Sequence, residues 1–362
     1  MGKKLLIHFR SLGFMIACLS IYPVHSESAA IDEFLTPTPD SSPTDLAFDA
    51  AGHLWFTEIN GNRIGRLAPG EAEPGTSKGI TEYELPQANS KPHYLLIARD
   101  GMIWFSEMSG NRIGVLDPGT GTIREFPIPT PNSEPHHLKE GADGSIWFLE
   151  FESNKLARLD PKSGQIAEFQ VKEGHPHDLE IVDGGVWYTQ GGKFWARMFY
   201  NKVARYDIAT GKIVEIDVLP EQSVPHGLTQ TGDGTLWFTQ LFESKIARLD
   251  WKTQPWTMEM FPLPGRKGPH DLVVDEKRGW VWYTLNRADS IGRLDLARAK
   301  PGTSEGMEEF PIPTPKAHPN ELVVDGEGNV WFTEMGHYFM GKFQNKIGRL
   351  KPDGPLAGEG TR

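Results

Sequence analysis

The chain has 362 residues, 39 of them glycine and 28 proline, and these are spread between apolar runs along its length. That is turn chemistry in a β-rich protein, and the length suits either two average domains or one large all-β domain with a sizeable core. The formal charge is −11 and Cys18 is the single cysteine, which disfavours nucleic acid or anionic lipid as partners and excludes a disulfide framework.

At the N-terminus Lys3, Lys4 and Arg10 precede the apolar stretch "SLGFMIACLSIY", which is short for a membrane span. With the small residues of "VHS" at 24–26, this predicts a signal peptide over residues 1–26 and an exported protein, periplasmic or secreted. The alternative is a lipoprotein acylated at Cys18 in "MIAC". Cleavage after Ser26 removes three basic residues and no acidic one, so the mature charge moves from −11 to about −14 and no cysteine remains. No later segment is apolar enough to span a bilayer, so the mature protein is expected not to be transmembrane.

From Ile31 onward the chain is repetitive. Trp55, Trp104, Trp147, Trp187, Trp237, Trp282 and Trp331 each sit in "[LIV]-W-[FY]-[TSL]", 40 to 50 residues apart. Before each of them comes a "P-x-x-L" segment such as "PHYL", "PHHL", "PHDL" or "PHGL", then a glycine-bearing turn. After each comes an alternating run of the "NRIGRL" or "NKLARL" type, then an "EFPIP"-like segment. Alternation bounded by turn residues predicts four short strands per repeat. Seven such repeats predict an all-β, seven-bladed β-propeller over residues 31–350, followed by a tail at 351–362. Ile31–Leu35 ("IDEFL") has the outer-strand pattern but precedes the first inner strand, and no outer strand follows Leu350. The N-terminal strand is therefore expected to close the last blade against "NKIGRL", leaving no free edge.

The "P-H" dipeptide opens the inner strand beside the central channel, and the next strand returns antiparallel past the tryptophan. The residue three past each Trp is thus expected at the same mouth as the histidine. One series is Thr44, His93, His136, His177, His226, His270 and Asn320; the other is Glu58, Glu107, Glu150, Gln190, Gln240, Leu285 and Glu334. On this reading five imidazoles and four carboxylates rim one opening, the usual place for a ligand. Inserts in blade four ("GGKFWARMFY") and blade seven ("GHYFMGKFQ") are rich in aromatics and are expected to wall the same mouth. The repeated tryptophans and the Arg of "IGRL" read as blade packing, and any one histidine could merely satisfy a blade-start backbone group. Blade three differs in bringing Glu134, His136, His137 and Glu150 together. His53, His175, His318 and His337 fall in turns or inserts and are given no role.

The phrase "PHYLLIARDGMIWFSEMSGNRIGVLDPGTGTIREFPIPTP" and its sister repeats resemble the streptogramin B lyase (virginiamycin B lyase) family over nearly the whole of 31–350. The resemblance implies a seven-bladed propeller. It also implies a Mg²⁺-dependent carbon–oxygen lyase that opens cyclic depsipeptide antibiotics by elimination at the ester, and hence a role in antibiotic resistance. The family site comprises a "P-H" histidine of one blade, an "E-P-H" glutamate and histidine of the next, and a glutamate past the latter's Trp. Matched by chain order, this falls on His270, Asn320 and Glu334, with His318 and Asn320 in "HPN" departing from the pattern. Matched by motif, it falls on His93, Glu134, His136 and Glu150. The resemblance then implies His136 as base, His93 and His270 as further catalytic histidines, and Glu134, Glu150 and Glu334 as groups holding Mg²⁺ or another divalent cation. His177, His226, Asn320, Glu58 and Glu107 are left as substrate-binding groups. The partner expected is a small-molecule or peptide-like ligand at the mouth of a monomer. A non-enzymatic ligand- or protein-binding propeller and a metal-dependent lactonase stay open beside the lyase.

Overall fold

The computed structural model describes residues 30–352 except 194–195, 254 and 338–340. The expected signal peptide, Cys18 and all but the first two residues of the expected tail lie outside the described residues. Twenty-eight strands are described, numbered in chain order from β1 (Ala30–Leu35) to β28 (Lys342–Lys351), in seven four-stranded antiparallel sheets. Blade three is typical: β10 (Pro135–Glu140), β11 (Ile146–Glu150), β12 (Lys155–Leu159) and β13 (Ile166–Gln170) run from inner to outer edge in chain order. The last blade is ordered β1, β28, β27 (Val330–His337), β26 (Pro319–Val324), so the N-terminal strand closes the ring as the sequence leads one to expect. The register pairs Ile31 with Leu350 and Leu35 with Lys346. Asp32 and Glu33 pair with Arg349 and Lys346 across that seam.

Each blade carries its repeated residues for packing. The seven tryptophans are buried, and Trp55, Trp104, Trp147 and Trp237 stack on the outer-strand rings of Tyr83, Phe126, Phe169 and Phe261 at 5.6 to 5.8 Å. The arginine of "IGRL" or "LARL" lies over the same indole, as in Arg66 on Trp55, Arg158 on Trp147 and Arg349 on Trp331. Each such pairing adds about 0.5–1 kcal/mol beyond burial. In the "IGRL" repeats the glycine is obligatory, because a Cβ at Gly65 or Gly348 would stand 2.1 Å from a ring carbon of Phe56 or Phe332.

Two polar seams tie neighbouring blades beside the channel. The hydroxyl two past the Trp donates to the carbonyl of the next blade's "P-H" position: Thr57 to His93, Thr189 to His226, Thr239 to His270 and Thr333 to Thr44, at 2.6 to 3.1 Å. In addition, Asp45 accepts from the amides of Leu46 and Leu95, and Asp178 from those of Leu179 and Leu228, one bond in the same blade and one in the next. These buried carboxylates are thereby accounted for as clamps between inner strands.

Candidate functional site

Every inner strand begins in the same strained way. The residue before its proline has a positive φ in all seven blades: Ser42, Lys91, Glu134, His175, Val224, Gly268 and His318, at 47° to 60°. A left-handed conformation is costly for side chains other than glycine, above all β-branched Val224, so the ring imposes it. The turn places this residue at the channel mouth and hands the chain to a bulge, where the register shifts between Pro135 and Leu138.

At that mouth lies a cavity of about 350 Å³. His93, His136, His177, His226, His270 and Asn320 form one wall. The imidazoles follow one another around it, with ring centroids 5.1 Å apart for His93 and His136, 6.0 Å for His136 and His177, 4.4 Å for His177 and His226, and 3.9 Å for His226 and His270. Phe151 stacks on His136 at 4.7 Å and fixes its plane. Asn320 donates to the Thr44 carbonyl at 2.9 Å and so joins the last blade to the first. Burial drives all five rings toward the neutral form: His93 and His270 are pushed down to about 3 and His177 to about 4, while His136 and His226 lie well below the usual 6.5. The Nδ1 atoms of His93 and His136 are buried without a hydrogen-bond partner. His137, the second histidine of "PHHL", turns away to Asp178, 3.0 Å from its carboxylate.

The expectation that four glutamates share this rim is corrected. Glu58, Glu107, Glu150 and Glu334 are fully buried, but none lines the cavity. A strand alternates faces with period two, so the residue three past the Trp shares the face of the buried aromatic one past it. Phe56, Phe105, Phe148 and Phe332 hold that face inside the blade stack, and the glutamates follow them there. Each sits beneath an outer-strand glutamate: Glu58 by Glu82, Glu107 by Glu125, Glu150 by Glu168 and Glu334 by Glu33. Burial first, with repulsion from that neighbour contributing, raises them to about 9, 7, 7 and 8 respectively. Gln190 and Gln240 occupy the same position in blades four and five. Of the three residues expected to hold a metal, only Glu134 reaches the cavity.

The chain turns into the mouth one residue later. Ile59, Met108, Leu241 and Met335, each four past its tryptophan, add an apolar part to the lining, and Asn286 takes the same place in blade six. Counting the strand alternation from the tryptophan would have found them. The next position supplies Glu152 in blade three and Arg287 in blade six, and His318 and His337 complete the lining. The last two, given no role from sequence, pack ring to ring at 4.5 Å. The blade-four insert reaches the mouth through Gly192, whose carbonyl lies 2.8 Å from His177 Nε2, and through Lys193, which pairs with Glu152. The blade-seven insert extends the β27–β28 hairpin, pairing Gly336 with Phe343.

The profile of the virginiamycin B lyase family matches residues 24–196 and 191–358, nearly the whole ring. The chain belongs to the virginiamycin B lyase family. A virginiamycin B lyase from Nocardia farcinica is 29% identical over 184 residues, which cover 49% of this chain and 56% of that relative, so the match spans little more than half its length. The crystal structure of virginiamycin B lyase from Staphylococcus aureus is 28% identical, with a TM-score of 0.76 over 90% of this chain and 100% of the other. A catalytically inactive histidine-to-alanine variant of that enzyme with Quinupristin matches equally well, at 28% identity and a TM-score of 0.76. The resemblance noted in the repeats thus holds for the whole propeller.

Proposed function

We propose that this protein is an exported carbon–oxygen lyase that opens an ester within a cyclic depsipeptide or a related compound by elimination, at the histidine-lined cavity. The observation carrying the reading is the cavity itself: buried neutral imidazoles and the apolar side chains of Ile59, Met108, Leu241 and Met335 line one cavity in a member of this family. Such a surface suits a large, partly apolar ligand that must meet a base. Export rests on the basic-then-apolar segment at residues 1–26.

The divalent cation implied by the family needs hard oxygen donors. Among the described residues no group of three or more His, Asp or Glu side chains gathers to hold a metal. Glu134 and Glu152 nevertheless both line the cavity; burial raises Glu134, and the Glu152 carboxylate raises it further. Lys193 pairs with Glu152, while Glu134 has no ion pair among the described residues. Mg²⁺ commonly uses one or two carboxylates and completes its shell with water and ligand oxygens, so this pair fits it and is where it would be held. When bound, the cation would supply Lewis-acid polarisation of the carbonyl next to the acidic carbon.

The chain's own residues do the rest. His136, neutral and lining the cavity, takes the proton alpha to the carbonyl. The electron pair forms the carbon–carbon double bond, and the ester carboxylate leaves from the beta carbon without water. His93 beside it orients the reacting segment. His270, whose Nδ1 lies 3.6 Å from Glu321, is the rival base. The test is turnover of a cyclic depsipeptide ester by His136→Ala, His270→Ala and Glu134→Gln. His136→Ala should lose at least about a hundredfold in rate. Equal activity of all three variants and the wild type would remove the cavity from the chemistry.

A further inference from the structure

The mouth of the cavity is electrically lopsided. The position five past the tryptophan is Glu152 in blade three and Arg287 in blade six, nearly opposite each other around a ring of seven. Lys193 answers Glu152. Arg287 has no carboxylate partner among the described residues; its guanidinium is held over the ring of Phe242 at 4.5 Å, and its stem packs by Gly268. The stacking presents a planar, pre-oriented cation to the cavity. Nearby His318 is pushed down to about 4, first by burial and then by repulsion from His337, with Arg287 contributing, so it adds no second charge. Arg287 is itself pushed down by burial and by Arg266.

Beside it stands a second unmet group. Asn286 lines the same cavity, is 8% exposed, and its buried Oδ1 has no hydrogen-bond donor. A buried acceptor left unpaired costs about 1–3 kcal/mol, which a ligand N–H would recover. The adjacent demands are therefore for one negative charge and one N–H donor. A carboxylate with an amide N–H two bonds from it meets both; inorganic phosphate brings an ill-matched second charge and no N–H.

We propose that Arg287 and Asn286 form a subsite for the free C-terminal end of a linear peptide, Arg287 binding the terminal carboxylate and Asn286 Oδ1 accepting the last amide N–H. The inference rests on the reading of the cavity as a peptide-like ligand site. In the elimination, the electrons of the broken C–O bond end on a carboxylate oxygen and the proton on the base. Arg287, the one Lys or Arg side chain among the described residues that line the cavity, is placed to take that developing charge, and it holds the ring-opened acid afterwards.

Calorimetric titration of the full-length protein with an N-acetylated apolar dipeptide acid, its C-terminal amide, and its acid N-methylated at the last amide tests this directly. The acid should bind at least about tenfold tighter than the amide, and N-methylation should weaken it further than the added methyl explains in Asn286→Ala. Arg287→Gln should erase the acid preference, and Arg287→Lys should retain part of it. Equal binding of acid and amide, no binding of either, or competition by inorganic phosphate as strong as by the acid would overturn the proposal. The wild-type comparison decides even if Arg287→Gln does not fold. Turnover is read separately: acid preference without turnover leaves this subsite standing and the lyase reading fallen, and turnover without acid preference does the reverse.

Discussion

Replacing Glu58 by glutamine should stabilise the protein, and only above the ordinary glutamate range. Glu58 is fully buried, both carboxylate oxygens lack hydrogen-bond partners, and the nearest cation, Arg63, is engaged by Glu82 and Glu84. Burial, with Glu82 adding repulsion, raises it from the usual 4.5 to about 9. Below pH 4.5 the acid is neutral in both folded and unfolded states and costs nothing. Between 4.5 and 9 the unfolded chain ionises and the folded one does not, so stability is lost by about 1.4 kcal/mol per pH unit. At pH 7.5 that reaches at most about 4 kcal/mol, and relaxation around the site should leave roughly half. Glu58→Gln keeps the shape and removes the loss. The expected result is a melting temperature raised by about 3–6 °C at pH 7.5 and unchanged at pH 4, read by circular dichroism. A variant destabilised at pH 7.5, and less so at pH 4, would show that the carboxylate is ionised and useful, and the reasoning would be refuted.

Deleting Ile31–Leu35 should cost well over the roughly 3 kcal/mol of burying Phe34, because it also strips the outer edge of β28; a truncated protein with wild-type melting and solubility contradicts the closure. His136→Ala should cost about 1–3 kcal/mol in a thermal melt, since the ring is 6% exposed and stacked on Phe151, so its loss of turnover would not be a loss of fold. With the cavity histidines held neutral, kcat/KM should show no step near 6.5; a step there would mean that a ring titrates freely. Chelation should abolish turnover and Mg²⁺ restore it, while Glu134→Gln should raise the Mg²⁺ concentration required.

The blades were legible because most of them repeat a packing problem with the same solution: a tryptophan under an outer-strand ring, an arginine over the indole, and glycine or alanine where the middle strands meet. The closing strand was legible for the same reason, since Ile31–Leu35 is an outer strand without a blade. The histidine wall was also legible, because "P-H" marks the start of each inner strand. The glutamates were misplaced because chemical type was allowed to outrank strand alternation; Glu150 shares the face of Phe148 and lies inside the stack. Arg287, His318 and His337 were not legible. They come from turns and a hairpin end of blades six and seven, and only the curvature of the ring brings them to one cavity.

The most direct measurement is the mass of the product formed from a cyclic depsipeptide ester by the purified protein with Mg²⁺. Elimination opens the ring and creates a carbon–carbon double bond without adding an atom. The account therefore predicts a linear, carboxylate-bearing isomer of unchanged mass with new ultraviolet absorption, formed by the wild type and not by His136→Ala. A product heavier by one water, or an intact ring after prolonged incubation, would contradict it.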